Sequence, residues 1–314
     1  MTDITYARPR VRGPKLLLTA AIAVTLAIGM LTMAGSTANA GGNGNGNGNP
    51  TPGAADRFAV LAGTAVDCTR SSVTGDVGIS PGIAFAPTSC DITGTVHKND
   101  AAAQAAMSAF LTAYGNYADK ACTDTVTLTT VIAAPLTLTP GVYCNTGPAG
   151  VTFTDTTLTL QGNGNANAVW IFKTVSLTAT DLSVVMSRSG NPCNVTWWTG
   201  AGATITSDDA GIPHPFIGTI LAGGATGAIT TTGTTSVATD RLSFTGDAFA
   251  KNGVTLTDTN LVGCAGGRPG GGGDDDDDDN DNDNDNDDDD NDHNDNHNDN
   301  HNDKDKGDKG HHDD

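Results

Sequence analysis

Short stretches in which apolar residues alternate with threonine run through the middle of this chain and leave room for little but β-structure. Val126-Thr-Leu-Thr129, Leu136-Thr-Leu-Thr139, Val151-Thr-Phe-Thr154 and Leu158-Thr-Leu160 follow the pattern. So do Val175-Ser-Leu-Thr178, Ala203-Thr-Ile-Thr206 and Val254-Thr-Leu-Thr257, and Ala228-Ile-Thr-Thr231 does so less cleanly. Period-two alternation puts apolar side chains on one face of a strand and threonine on the other. Gly, Asn, Asp and Pro turns separate the stretches, so the class is mainly β. A sandwich would also satisfy the alternation. The blocks are spaced irregularly, which argues against a fixed-period repeat.

One segment departs from this pattern. Residues 100–117, DAAAQAAMSAFLTAYGNY, are Ala-rich and helix-forming, with Asn99 or Asp100 as N-cap. Ala103, Met107, Phe110, Leu111 and Tyr114 form an apolar stripe at helical spacing, expected to pack on the β-domain.

The ends differ from the middle. Arg8, Arg10, Arg12 and Lys15, an apolar run from Leu16 to about Ala34, and Ala38-Asn39-Ala40 form a signal-peptide pattern over 1–40, with cleavage before Gly41. An uncleaved membrane anchor is the alternative, because the run is close to the ~20 residues a span needs. A Gly/Asn/Pro linker over 41–55, a folded domain over 56–265 and a Gly-then-Asp/Asn/His tail over 266–314 follow. The chain carries a net charge of −20, and all 36 acidic residues are Asp. The stretch 274–314 accounts for −18 of that charge, leaving the folded part nearly neutral with no basic footprint for nucleic acid.

Cysteines stand at 68, 90, 122, 144, 193 and 264, all past the leader. An even count in an exported chain reads as three disulfides, for which sequence allows 15 connectivities. The two equal separations suggest Cys68–Cys90 and Cys122–Cys144, leaving Cys193–Cys264. Each would stabilise by roughly 2–4 kcal/mol. No close Cys-x-x-Cys pair exists, so no zinc site of that type is expected.

At this point the order of motifs resembles the ice-binding-like protein family. Phe58-Ala-Val-Leu-Ala-Gly63, Val73-Thr-Gly-Asp-Val-Gly-Ile-Ser-Pro-Gly82 and Thr93-Gly-Thr-Val-His97 lead into the helix. Leu136-Thr-Leu-Thr-Pro-Gly-Val-Tyr143, Asn167-Ala-Val-Trp-Ile-Phe172 and Cys193-Asn-Val-Thr-Trp-Trp198 follow. Phe216-Ile-Gly-Thr-Ile-Leu221 and Ala250-Lys-Asn-Gly-Val-Thr-Leu256 complete the series. The resemblance spans about Arg57 to Val262. It implies a discontinuous right-handed β-solenoid of triangular cross-section with one long helix alongside, its coils stacked out of sequence order. It also implies binding to the ice crystal surface through a flat strand face carrying small residues and threonine, and the leader pattern makes the protein secreted and extracellular. Two segments depart from the family pattern: Thr206-Ser-Asp-Asp-Ala-Gly-Ile-Pro-His-Pro215 and Ser236-Val-Ala-Thr-Asp-Arg-Leu-Ser-Phe-Thr245.

The candidate ice-contacting residues are Thr230, Thr232, Thr255 and Thr257. Ile229, Val254 and Leu256 alternate with them and should point inward. Thr178, Thr204 and Thr206 are reserves on other coils, and Thr127 on an early strand is expected to be silent. A surface or matrix protein binding polysaccharide is the rival function. It would need exposed aromatics, and these make up only 5 % of the chain; of the adjacent Trp197 and Trp198 at most one can line a groove.

Catalysis lacks a constellation, and no cofactor is implied. Gly78-Ile-Ser-Pro-Gly82 fits a nucleophile-elbow string, but Pro81 has no N–H for an oxyanion hole. His97 and His214 read as structural or exposed, and Asp76 and Asp247 as turn formers. The tail, with His293, His297 and His301 at intervals of four, reads as a solvated acidic spacer. Weak divalent-cation binding by its Asp and His side chains is the alternative there. Deleting 266–314 is expected to leave the thermal midpoint unchanged; a shift of several degrees in a calorimetric scan would show that the tail docks.

Overall fold

Backbone hydrogen bonding sorts the strands into three parallel stacks. The computed structural model describes residues 53–264 apart from 124–127, 146, 210, 213 and 235–239. The signal-like segment, most of the linker, the tail and Thr127 lie outside the described residues. The 3-10 helix Gly53–Arg57 buries Ala55 beside the apolar face of the long helix, so the folded chain already starts within the stretch read as linker.

The first stack runs, in spatial order, Gly141–Cys144, 170–174, 195–199, Thr219–Ala222, Ala248–Ala250, Phe58–Ala62, Asp76–Ile79 and Val96–Lys98. The second runs Val131–Ile132, 151–154, 176–180, 202–206, Ala228–Thr232, Val254–Thr257, Ala65–Thr69 and Ala84–Thr88. The third runs Leu136–Leu138, 156–161, 182–187, Phe216–Ile217, Leu242–Thr245, Thr259–Val262, Ser72–Thr74 and Asp91–Ile92. Its link at Phe216–Ile217 begins with the Val184 N–H donating to the Pro215 carbonyl. Strand Trp170–Ser187 is long enough to serve all three stacks. The protein is thus mainly β, with one helix and a nearly closed set of parallel strands.

Each rung follows the previous one in the chain, with one exception. The rung containing 248–262, last in sequence, pairs with the first, at 58–74. Side chains stitch this seam across 188 residues. Arg70 donates from Nε and Nη2 to the two carboxylate oxygens of Asp258 at 2.9 and 2.6 Å, and Ser72 Oγ donates to Asn260 Oδ1 at 3.0 Å. The Thr259 N–H donates to Ser71 Oγ.

The helix Ala101–Ala118 carries the chain from the end of the stack at Val96–Lys98 back towards the far end at Gly141–Cys144. Eighteen residues at 1.5 Å span about 27 Å, most of the ~33 Å that eight strands occupy. Asp100 caps it, accepting from the Ala103 N–H at 2.9 Å, and Lys173 Nζ donates to the exiting carbonyls of Ala118 and Lys120. Its buried residues are Ala103, Ala106, Met107, Phe110, Ala113 and Tyr117. Leu111, expected in the stripe, is 38 % exposed. It lies roughly 110° round the helix from the centre of the buried set, too far to reach the sheet.

The helix covers the outward side chains of the first stack, where Phe58, Leu61, Ile171, Leu221 and Phe249 form one apolar cluster with it. The opposite side chains of all three stacks meet in a separate core. Aromatic rings run through that core from rung to rung, Tyr143 to Phe172, Trp197, Phe216 and Phe244, with centroids 4.1–5.7 Å apart. Three disulfides close it: Cys68–Cys90, Cys122–Cys144 and Cys193–Cys264, the pairing the spacings suggest.

The rungs share no single period. On the second stack the register partners Thr152, Thr178, Thr204 and Thr230 stand 26 residues apart, but on the first stack Gly141, Trp170 and Val195 stand 29 and 25 apart. The local 26-residue spacing is hidden because each rung holds up to three alternating blocks. Trp197 is 1 % exposed and donates from Nε1 to the Ile217 carbonyl. Trp197→Ala is expected to cost about 3–5 kcal/mol, read as the drop in unfolding free energy from urea titration.

Candidate functional site: a two-column threonine face

Three stacks offer three outer faces, and two of them are interrupted. The first lies under the helix. Across the third, outward positions read Thr159, Val185, Ile217, Thr245, Val262 and Thr74 in one column, and His214 lies against it, hydrogen-bonded to Ser183. The second face is different in kind. Its inward side chains, among them Val151, Phe153, Leu177, Ala203, Ile229, Val254, Leu256 and Val66, are buried. Its outward positions fall into two straight columns.

The first column starts at the exposed Val131 and reads Thr152, Thr178, Thr204, Thr230 and Thr255, then Asp67 and Ala86. The second reads Thr154, Thr180, Thr206, Thr232, Thr257, Thr69 and Thr88, threonine at each of the seven rungs from 151–154 to Ala84–Thr88. Ser176, Gly202 and Ala228 flank them with small side chains. Thr88, Thr178 and Thr204 are exposed and the other threonines half-buried, as neighbours in a ladder cover one another. Asp67 is the only charged side chain in either column.

All seven threonines singled out from the sequence therefore share one face. Thr204 and Thr206, on the neighbouring rung, stand beside Thr230 and Thr232 in register, and Thr178 stands beside Thr204 one rung further on. Thr232, adjacent to a turn, sits squarely in the second column between Thr206 and Thr257. The alternation missed Thr69, Thr88, Thr152, Thr154 and Thr180 as members of the same face; the local 26-residue spacing would have found Thr152, Thr154 and Thr180. Thr231 breaks the apolar pattern because it points inward, where its hydroxyl pairs with that of Thr259 at 2.8 Å.

Regular corners keep the face straight. At five of its seven rungs the residue after the second-column threonine bends the chain in the left-handed region: Asp155, Asp181, Asp258, Arg70 and Ser89 have φ between 45° and 53°. Asp tolerates this left-handed conformation better than most residues. At the opposite edge of the face Gly63 is required, because a Cβ there would lie 1.8 Å from the Lys251 carbonyl oxygen on the adjacent rung.

Other candidates have structural roles. Ser80 is buried, its Oγ donating to Asn99 Oδ1 at 3.1 Å. His97 hydrogen-bonds the capping Asp100 at 2.7 Å. Asp247 is buried and accepts from Thr219 Oγ1 and the Cys264 N–H, and Asp76 accepts from the Thr95 N–H. Trp198 stacks on Tyr114 under the helix, so neither of the adjacent tryptophans lines an open groove. Burial there also pushes the Tyr114 hydroxyl up to about 12.

Rungs of parallel strands, a helix along one side and a bare, repetitive hydroxyl surface on another define a class of β-stacked surface-binding proteins. Comparison narrows the class. A family model described as ice-binding-like matches residues 60–262. An ice-binding protein of Nostoc sp. (strain HG1) is 34 % identical over 215 residues, 67 % of this chain and 72 % of its own. One from Flavobacterium frigoris (strain PS1) is 31 % identical over 171 residues, 49 % of this chain and 60 % of its own. The crystal structure of an ice-binding protein from an Antarctic biological consortium aligns with a TM-score of 0.57 at 28 % identity, covering 69 % of this chain and 92 % of that one. The protein belongs to the ice-binding-like family.

Proposed function

We propose that this chain is a secreted ice-binding protein that adsorbs to ice through the two-column threonine face and so inhibits ice growth or recrystallisation. The observation that carries this is the unbroken second column, seven threonines in hydrogen-bonded register. Family membership and the named ice-binding relatives support it. In this proposal the three stacks are the sides of a right-handed solenoid of triangular cross-section, and the threonine face is its one open flat side.

The physical case is one of spacing and stiffness. Columns stand roughly 6.6–6.8 Å apart and rungs about 4.7–4.9 Å apart, giving a two-dimensional array with repeats close to those of an ice surface. Seven rungs extend it for about 28 Å. Each threonine presents a methyl and a hydroxyl on a restricted χ1. The array can therefore order water without rearranging to suit it, and little charge competes for that water. The protein works by adsorption, with no catalytic step and no cofactor. Extracellular localisation fits the leader-like start and the three disulfides. Polysaccharide adhesion is the weaker proposal because the tryptophans that would stack on sugar are covered.

Thr255→Tyr is expected to abolish ice shaping and thermal hysteresis, because a ring standing off the plane separates the face from the crystal. Thr159→Tyr, on the third stack, is expected to be silent. Each should change stability by no more than about 0.5 kcal/mol. Loss of activity only in Thr159→Tyr would move the active face to the third stack. A wild type without hysteresis or recrystallisation inhibition would refute ice binding itself.

A further inference from the structure

The segment that departs from the family pattern, Thr206 to Pro215, does more than connect two strands. It leaves the threonine face at Thr206, and Pro215 lies at the third stack, its carbonyl accepting from the Val184 N–H at 2.7 Å. Between them Asp208, Asp209 and His214 come up against Asp181, the left-handed corner residue of the neighbouring rung, whose side chain is 3 % exposed. Asp181 Oδ1 accepts from the Asp208 N–H at 2.9 Å.

His214 lies against this corner. Its Nε2 is shut off from solvent and has no hydrogen-bond partner. It faces Asp181 Oδ1 at 3.7 Å and Asp209 Oδ2 at 3.6 Å, and the three atoms all lie within 4.8 Å of one another. These separations are too long for hydrogen bonds. They suit atoms that share a metal ion, since two ligands at about 2.1 Å from a tetrahedral ion stand roughly 3.4 Å apart. The other ring nitrogen, Nδ1, is 3.2 Å from Ser183 Oγ. With the proton on Nδ1 and donated to that oxygen, Nε2 presents its lone pair to the two carboxylates, the arrangement in which metal-binding histidines are held.

We propose that Asp181, Asp209 and His214 form a binding site for a divalent transition-metal ion of the Zn²⁺ type. One imidazole nitrogen with two carboxylates suits such an ion better than Ca²⁺, which takes six to eight oxygen ligands. The carboxylates of Asp181 and Asp209 crowd this corner around His214. A bound cation relieves this crowding and ties the segment down over the third stack, clear of the threonine face.

The test is calorimetric titration of the full chain with ZnCl₂, set beside His214→Gln and Asp209→Asn. Asp209 is half exposed, so its substitution leaves the fold intact even if the histidine change does not. The wild type is expected to show one step that both variants weaken by more than about ten-fold. Any binding by the acidic tail is common to all three proteins and cancels. Zn²⁺ is also expected to raise the thermal midpoint of the wild type but not of the variants. Indistinguishable isotherms and equal thermal shifts in the three proteins would overturn the site, leaving only imidazole–carboxylate pairing. A Ca²⁺ response in the wild type as strong as that to Zn²⁺, and lost in the variants, would overturn the choice of ion.

Discussion

Everything in this protein depends on register between parallel strands. A parallel ladder fixes which residue lies beside which, and a slip of one residue would turn the buried set outward and the threonines into the core. The inward side chains guard against that slip. Phe172 stacks on Trp197 at 4.1 Å, and Phe216 tilts against Trp197 at 5.3 Å, so these rungs are located by large rings that fit only one way. The flatness of the threonine face is thus a consequence of packing on the other side of the same strands. The hydroxyls are regularly spaced because the core is.

Much of this was legible in the sequence, for a physical reason. Alternation is a local signal, and it placed Thr178, Thr204, Thr230, Thr255 and Thr257 outward correctly. The disulfides were legible because both short pairs bridge the same number of residues, and the helix because its stripe and its Asp100 cap are local too. What escaped was long-range. Nothing near Thr69 or Thr88 says that they extend a column begun at Thr154, because they reach it across the seam between the first and last rungs. Leu111 was misplaced because spacing by threes and fours is satisfied at the edge of a helical stripe as well as at its centre. The inward turn of Thr231 depends on a partner, Thr259, 28 residues away.

The corners explain how irregular sequence produces regular geometry. Five residues of three kinds, Asp155, Asp181, Asp258, Arg70 and Ser89, adopt nearly the same left-handed conformation at five of the seven rungs of the threonine face, Ser207 and Gly233 being the exceptions. Each is then free to use its side chain differently. Asp258 pairs with Arg70 across the seam, while Asp181 accepts from the Asp208 N–H. At these five corners the backbone is constant, and the chemistry attached to it varies.

The seam also sets a timetable. Strand Phe58–Ala62 is hydrogen-bonded on one side to Asp76–Ile79, made about twenty residues later, and on the other to Ala248–Ala250, made almost two hundred residues later. The rungs that emerge first from the ribosome therefore hold an open edge until the last rung arrives. The three early rungs and the five late ones are two half-finished pieces, and neither has its full set of neighbours alone. Contacts so distant along the chain fold slowly. A chain cut short anywhere before Val262 would leave that edge bare, a surface on which another copy's strand could pair instead.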